Sequence, residues 1–146
     1  VPTHRRVSLG VGYMPEDRRL VPGLSVEENV LLPAWSARLP DAAGRLARVY
    51  QAIPEVRELR ARRALQLSGG QQKLVALARA MMGGTRLLLL DEPFEGVAPV
   101  LARRLAEVIA GLRQTGLTAI LAESSLTHAQ GLLDRTFVID RGAVSA

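Results

Sequence analysis

Two glycines stand between a serine and two glutamines at the start of a helical pattern, in the segment Leu67–Gln72. Glycine lets the backbone come close to an anion, and the free amides and positive end of a helix N-terminus favour phosphate. The Ser68 hydroxyl can donate to a phosphate oxygen, or it can cap the helix. The segment therefore indicates a phosphate-binding helix start, with an ordinary capped helix start as the alternative.

Two acids follow a run of four leucines, Leu87 to Leu90. Such a run is typical of a buried parallel strand. It places Asp91 and Glu92 at the carboxyl end of that strand, where ligands bind in open α/β sheets. One carboxylate there can hold Mg²⁺ through water, and the next can polarise an attacking water. A strand that simply ends in two solvated acids is the alternative.

Together these motifs resemble the ABC-transporter ATPase family. Leu67–Gln72 resembles the signature motif of that family, and Leu87–Glu92 resembles its Walker B strand. Gly12–Arg18 is similar to the Q-loop region, and Glu95–Pro99 to the D-loop. The form of the D-loop, together with Val26–Asn29, most resembles the ATP-binding subunits of branched-chain amino acid importers.

The resemblance implies a role for each matching residue. Asp91 would bind Mg²⁺ through water, and Glu92 would be the general base for the water that attacks the γ-phosphate of ATP. A further set would contact the γ-phosphate of ATP bound to the other subunit of a head-to-tail dimer: Ser68, Gly69, Gly70 and Gln71, with Gln72 in support.

Two more positions follow from the resemblance. Glu16 stands at the Q-loop position in place of the usual glutamine, where contact with the nucleotide and its Mg²⁺ and a link to the membrane subunit are implied. Ser124 stands where a switch histidine would follow the acid after the strand; serine cannot titrate there but can donate one hydrogen bond. Both departures are traits of the importer subclass that the sequence resembles.

Periodicity predicts the elements that position these motifs. Strands are predicted at Gly10–Met14, Leu87–Leu90, Thr118–Ala122 and Thr136–Ile139. Helices are predicted from Val26 to before Pro33, from Asp41 to Pro54, and over Glu55–Leu65, Gln71–Met82, Pro99–Gln114 and Ser125–Leu133. The alternation of strand and helix predicts a parallel α/β sheet.

The fold class expected is therefore α/β: a partial P-loop NTPase core of the ABC ATPase type, with an α-helical subdomain. We expect a Q-loop strand and loop over 1–22, the helical subdomain over 23–66, and the signature helix with the Walker B half of the core over 67–146. By resemblance, a P-loop strand would lie between Thr118–Ala122 and Thr136–Ile139. Without it, we expect Thr118–Ala122 to seek another partner strand, since exposed apolar edges pair.

Composition bounds these expectations. The chain has 146 residues, of which 48% are hydrophobic and 23% charged, which excludes a disordered tail or a membrane span. There is no cysteine, which excludes disulfides and thiolate chemistry. The net charge of +5 comes from arginines spread along the chain, so we expect no nucleic-acid binding.

Lys73 is the single lysine and lies within Gln71-Gln72-Lys73, so these residues contain no phosphate-binding loop of the form G-x-x-x-x-G-K-[S/T]. The first residue is Val1 rather than Met, and we expect the chain to be a piece of a longer protein and inactive alone. The expected ligands of the complete protein or dimer are ATP and Mg²⁺.

The function expected from the resemblance is ATP hydrolysis coupled to import of branched-chain amino acids. The expected partners are a second ABC ATPase subunit and transmembrane permease subunits, at the cytoplasmic face of the plasma membrane. One alternative is a non-catalytic truncated subunit that offers its signature motif to a complete partner. Another is a nucleic-acid-associated ABC ATPase, against which the short helical insertion speaks.

Overall fold

A computed structural model describes Pro2 and residues 5–145. Its centre is a parallel sheet of β1 (Val11–Met14), β2 (Leu87–Asp91) and β3 (Thr118–Ala122), in the order β1-β2-β3. All three strands run in the same direction, with β2 between the other two. The predicted parallel α/β sheet is confirmed, with three of the four predicted strands in it.

The described residues form five α-helices: α1 (Val26–Ala37), α2 (Ala42–Ala52), α3 (Pro54–Glu58), α4 (Gly69–Gly83) and α5 (Pro99–Leu112). Helices α1, α2 and α3 pack against α4, which packs against β1. The core joins the buried face of the sheet to α4 and α5, through Met14, Leu88, Leu90, Leu77 and Leu105. None of the helices among the described residues combines the length and the apolar character needed to cross a membrane.

Helix α1 begins as predicted and ends later. Ser25 caps it, because its hydroxyl oxygen accepts the Glu28 amide while a Glu28 carboxylate oxygen accepts the Ser25 amide. The prediction that α1 ends before Pro33 is wrong, since the helix continues to Ala37. Proline removes one helical hydrogen bond, but Val30 and Ala34 on the same helix are buried, and this packing maintains the helix.

Helix α3 is shorter than predicted. It ends at Glu58, whereas the sequence predicted a helix to Leu65. The backbone beyond it bonds instead to the start of α1: the Val26 amide donates to the Arg62 carbonyl at 2.8 Å, and the Ala64 amide donates to the Leu24 carbonyl at 3.0 Å. These bonds close the helical subdomain, which an uninterrupted helix could not do.

The C-terminal part departs most from prediction. Residues 125–133 form turns rather than the predicted helix. The last predicted strand becomes β4 (Val138–Asp140), which pairs antiparallel with β5 (Ala143–Ser145) and not with the central sheet. The outer edge of β3 therefore has no partner strand among the described residues, and Thr136–Ile139 does not move across to pair with it.

Strand β1 approaches α4 closely at Gly12. A Cβ at this position would lie 2.0 Å from the Ala80 carbonyl oxygen and 2.7 Å from a methyl carbon of Leu88. The first of these atoms belongs to a helix backbone and cannot move aside as a side chain does. The glycine at this position therefore sets the distance between the sheet and α4.

We predict that Gly12→Ala destabilises the fold by ~1–3 kcal/mol, because overpacking forces backbone shifts. Gly23→Ala is the matched control, since nothing lies within 4 Å of a Cβ at Gly23, and it should change stability by less than ~0.5 kcal/mol. Urea denaturation of both variants measures the difference. Equal free energies of unfolding for the two variants would contradict the packing argument.

Candidate functional site

The acids of the sequence motif lie at the carboxyl edge of the parallel sheet. Asp91 ends β2 and is in register with Ala122 at the end of β3. The Glu92 amide donates to the Ala122 carbonyl at 2.9 Å, so the pairing of β2 with β3 continues one residue beyond β2. Glu92 and Glu123, each the first residue beyond its strand, are thereby brought side by side.

Main-chain amides hold these two carboxylates in a reciprocal arrangement. The Ser124 amide donates to Glu92 Oε1 at 2.9 Å, and the Phe94 amide donates to Glu123 Oε1 at 3.1 Å. Each acid is thus fixed by the loop that follows the other strand. The Ser124 hydroxyl lies 3.5 Å from Glu92 Oε2, so the shorter contact comes from its amide.

A cleft of about 250 Å³ opens beside these carboxylates, lined by Glu92, Glu95, Glu123, Phe94, His128 and Ser124 among others. Phe94 is 6% exposed and belongs to the core, with its ring 6.0 Å from the ring of His128. The cleft therefore has an acidic side and an aromatic side, which suits a polar ligand.

A second group of acids surrounds Asp91. The Tyr13 hydroxyl donates to Asp91 Oδ2 at 3.1 Å. The negative charge of Glu95, ahead of the other causes, raises the pKa of Glu16, and the charges of Asp91 and Glu92 act in the same direction. Glu16 and Asp91 therefore share a region of negative potential, to which oxygen-binding cations such as Mg²⁺ are suited.

No set of three or more His, Cys, Asp or Glu side chains with metal-binding geometry occurs within residues 5–145. Mg²⁺ commonly keeps several waters and uses one or two carboxylates together with substrate phosphates. The donor set here, Asp91 with Glu16 nearby, fits that manner of binding.

The signature segment begins α4 with a capping box. The Ser68 hydroxyl oxygen accepts the Gln71 amide at 3.3 Å, and Gln71 Oε1 accepts the Ser68 amide at 3.0 Å. Ser68 and Gly69 are exposed, whereas a Cβ at Gly70 would lie 2.6 Å from a methyl carbon of Leu101 on α5. Gly70 thus serves packing, and the exposed helix start is formed by Ser68 and Gly69.

The loop after Glu16 is fastened to α4. The Arg79 guanidinium donates to the carbonyl oxygens of Arg18 and Arg19, the second at 2.6 Å. Both of these loop residues have positive φ, +64° and +45°. Arg18 in turn donates to Gln72 Oε1 at 3.1 Å. This loop therefore connects the Glu16 position with the first turn of the signature helix.

The structure thus separates the predicted residues into two places. Glu92 and Ser124 meet at the cleft, with Asp91 and Glu16 beside them. The predicted set on α4, Ser68 to Gln71, lies elsewhere and does not line the cleft.

Three residues of the site were not assigned a role from sequence: Tyr13, Lys73 and Glu123. Glu123 carried a signal, because it follows an apolar strand just as Asp91 does, and parallel strands end at one edge. Lys73 also carried one, since it lies four residues before Leu77 and so on the buried face of α4. Its Nζ donates to the Glu92 carbonyl oxygen at 2.6 Å.

Burial raises the pKa of Glu123 to about 7, and the neighbouring Glu92 acts in the same direction by hydrogen bonding and charge. The Phe94 amide opposes this shift, because it favours the ionised carboxylate. Glu123 is therefore able to exchange a proton near neutral pH beside Glu92.

Comparison with known proteins gives a consistent family. The sequence profile described as ABC transporter matches residues 2–95. A high-affinity branched-chain amino acid transport ATP-binding protein, BraG of Pseudomonas aeruginosa, is 33% identical over 144 residues, which are 99% of this chain and 62% of that protein. The lipopolysaccharide export system ATP-binding protein LptB of Escherichia coli K12 is 28% identical over 148 residues, 100% of this chain and 61% of LptB. The chain thus spans about three fifths of the length of these curated relatives.

Solved structures share the fold. The ADP conformation of MJ1267, an ATP-binding cassette of an ABC transporter, superposes with a TM-score of 0.79 at 24% identity, over 100% of this chain and 63% of that one. The dimeric structure of MJ0796, a bacterial ABC transporter cassette, superposes with a TM-score of 0.73 at 23% identity, over 88% of this chain and 57% of that one.

The raised pKa of Glu123 predicts a pH dependence of stability. The native state binds a proton more tightly than the unfolded chain does, whose Glu pKa is near 4.5. The free energy of unfolding should therefore fall as the pH rises from about 5 to about 8. Glu123→Gln should remove this part of the decrease, and the exposed control Glu107→Gln should retain it. Urea denaturation at both pH values tests this, and equal pH dependence in wild type and Glu123→Gln would contradict it.

Proposed function

This chain belongs to the ABC transporter family, and we propose that it supplies the signature helix and the catalytic acids of a transporter's ATP-binding subunit. The observation that carries the proposal is the amide-held Glu92 beside Asp91 at the sheet edge. The same chain presents an exposed serine-glycine helix start on α4. These are the two parts of an ATP site that this family assembles from two subunits.

Glu92 is the proposed general base. Its carboxylate lines the cleft and is oriented by the Ser124 amide, so that a water held in the cleft can lose a proton to it as it attacks the γ-phosphate. Glu123 is fixed by the Phe94 amide at the opposite side of the pair. Ser124 contributes its main-chain donor in place of a titratable switch residue.

Asp91 is the proposed Mg²⁺ residue, with the cation held through water and with Glu16 on the same acidic edge. Mg²⁺ would neutralise the charge that develops on the phosphates during hydrolysis. The Tyr13 hydroxyl orients Asp91, since it donates to one carboxylate oxygen and leaves the other for the hydrated ion.

The signature residues act on a second nucleotide. Ser68 and Gly69 are exposed and lie outside the cleft that Glu92 lines, so the Gly69 amide and the Ser68 hydroxyl hydrogen, which the capping box does not use, suit the γ-phosphate of ATP held by a partner subunit. Gly70 allows α5 to pack closely behind them, and Gln71 completes the cap. The similar cassette MJ0796 has a dimeric structure, which supports a paired assembly.

The proposed cargo is a branched-chain amino acid. BraG and the probable branched-chain amino acid transport protein LivF of Archaeoglobus fulgidus, which is 31% identical, support this assignment. LptB, at 28% identity, is the competing relative. The proposed location is the cytoplasmic face of the membrane, where the subunit binds transmembrane permease subunits through its helical part.

A non-catalytic partner subunit is the second candidate. Lys73, the single lysine, is buried and hydrogen-bonded to Glu92, so no lysine in these residues can serve a phosphate-binding loop. In that case the chain would offer α4 to the partner's ATP, and Glu92 would have no role in turnover. The Glu92→Gln variant described next separates these candidates.

We predict that Glu92→Gln lowers ATP turnover by ~10²–10⁴-fold and leaves nucleotide binding intact, because it removes the general base and little else. The assay uses the assembled ATPase that contains this chain and the phosphate-binding loop. Glu58→Gln, at an exposed position on α3, is the matched control and should keep full turnover. Unchanged turnover in Glu92→Gln would favour the non-catalytic candidate.

We predict that Gly69→Asp abolishes at least ~90% of the same activity while leaving the fold intact. A carboxylate in the first turn interacts favourably with the helix dipole and so does not destabilise the helix. A Cβ at Gly69 would lie 3.4 Å from Arg18 Nη1, with no backbone clash. The loss would thus come from charge repulsion against the partner's phosphates. Gly69→Ala, which adds the carbon without the charge, should lose less activity than Gly69→Asp, and full activity in Gly69→Asp would overturn the assignment of α4.

A further inference from the structure

The buried ammonium of Lys73 connects the signature helix to the turn after β2. Lys73 is 2% exposed, and its Nζ donates to the main-chain carbonyl oxygen of Glu92 at 2.6 Å. It lies four residues after Gly69, on the same face of α4 and one turn further on. Because an unpaired buried charge is costly, this hydrogen bond is a part of the fold and not an incidental surface contact.

Glu92 has a backbone conformation that needs support. Its φ is +44°, in the left-handed region that residues other than glycine rarely adopt. Such conformations persist where the surroundings over-determine them. The carbonyl oxygen that Lys73 contacts also accepts the Glu95 amide at 3.2 Å, which closes the turn. The peptide group after Glu92 is therefore fixed by two hydrogen bonds, one from Lys73 on α4 and one from Glu95 within the turn.

The same turn orients both carboxylates of the cleft. The Phe94 amide, two residues after Glu92, donates to Glu123, and the Ser124 amide donates to the Glu92 carboxylate. If the peptide after Glu92 rotated, the Phe94 amide and the Glu92 side chain would both be displaced. Burial, ahead of the nearby charge of Arg18, lowers the pKa of Lys73, and the charge of Glu95 opposes that effect.

We propose that Lys73 is a positioning residue for Glu92: its ammonium holds the turn 92–95 against α4, so that the phosphate-binding start of α4 and the general base move as one body. The inference rests on the proposed function and extends it. The start of α4 faces the nucleotide of the partner subunit, and Glu92 acts on the nucleotide of its own subunit. Lys73 therefore joins two ATP sites within one chain.

The first test needs no ATPase activity. Amide hydrogen exchange of the ¹⁵N-labelled 146-residue chain is compared between wild type and Lys73→Met, which keeps the length of the side chain and removes the donor. Exchange at Ser124 and Phe94 should become at least ~10-fold faster, while the β1 amides keep their protection. Leu74→Met, a volume-conserving change at the next residue of α4, is the matched control and should change neither amide.

Lys73→Gln keeps a donor on a shorter side chain and guards against a folding failure of Lys73→Met. Lys73→Gln should fold, and its amide exchange rates at Ser124 and Phe94 should lie between those of wild type and Lys73→Met. If Lys73→Met does not fold, the rates in Lys73→Gln should be at least ~3-fold faster than those in wild type. Unchanged exchange at both amides in a folded Lys73→Met chain, or in Lys73→Gln where it alone folds, would overturn the proposal.

The second test uses the assembled ATPase. Lys73→Met should lower kcat by ~10–100-fold with KM for ATP unchanged, because a misplaced base slows the chemical step without loosening the nucleotide. A raised KM with unchanged kcat would overturn the positioning role. If Glu92→Gln left turnover intact, the proposed function would fail, whereas the exchange result would still decide whether Lys73 holds the turn.

Discussion

The parallel register of β1, β2 and β3 is the constraint on which the site depends. Parallel strands end at one edge, so any acid that follows such a strand is placed beside the acid that follows its neighbour. Asp91, Glu92 and Glu123 are brought together in this way, and Glu16 follows β1 at the same edge. Neighbouring like charges repel, and donors at this edge offset the repulsion: two main-chain amides and the Tyr13 hydroxyl donate to the carboxylates, and the Lys73 ammonium donates to the Glu92 carbonyl oxygen.

Helix α4 has two different environments along its length. Its first turn is exposed at Ser68 and Gly69, whereas from Lys73 onward it is buried against the sheet and α1. The capping box pairs the amides of Ser68 and Gln71, so only the intervening amides of Gly69 and Gly70 are left for a phosphate. A helix tolerates such unpaired amides where its remaining length is well packed. The burial from Val75 to Met82 therefore stabilises a first turn that contributes few contacts of its own.

Sequence patterns predicted the elements that rest on local rules. The helix starts at Val26 and near Gln71 and the apolar runs of β2 and β3 were predicted correctly, because a helix start and a buried strand are determined by a few neighbouring residues. The helix predicted over Glu55–Leu65 was wrong because its backbone bonds to α1, which lies far away in sequence. The helix predicted over Ser125–Leu133 was also wrong, and it lies just before β4, which pairs with β5 and not with the central sheet. Periodicity alone therefore did not determine the helix over Ser125–Leu133 or the pairing of the last strand.

The site shows the same division between local and long-range information. Glu92 and Ser68 could be selected from their motifs, but the roles of their neighbours depend on which loops meet. That Glu123 accepts an amide from the loop after β2, and that Gly70 is required by Leu101 and not by a ligand, are consequences of packing between distant segments.

Lys73 shows this most clearly. A single lysine on the apolar face of a helix contradicts the hydrophobic pattern around it, and such contradictions tend to mark functional positions. The structure resolves this contradiction because the ammonium reaches a carbonyl oxygen whose residue, Glu92, has a left-handed backbone. A strained residue and a buried charge are each unfavourable alone, but here each supplies what the other lacks: the turn offers an acceptor, and the ammonium fixes the turn. The cost is thus confined to the one point where the sheet edge, the turn 92–95 and helix α4 must hold a defined geometry.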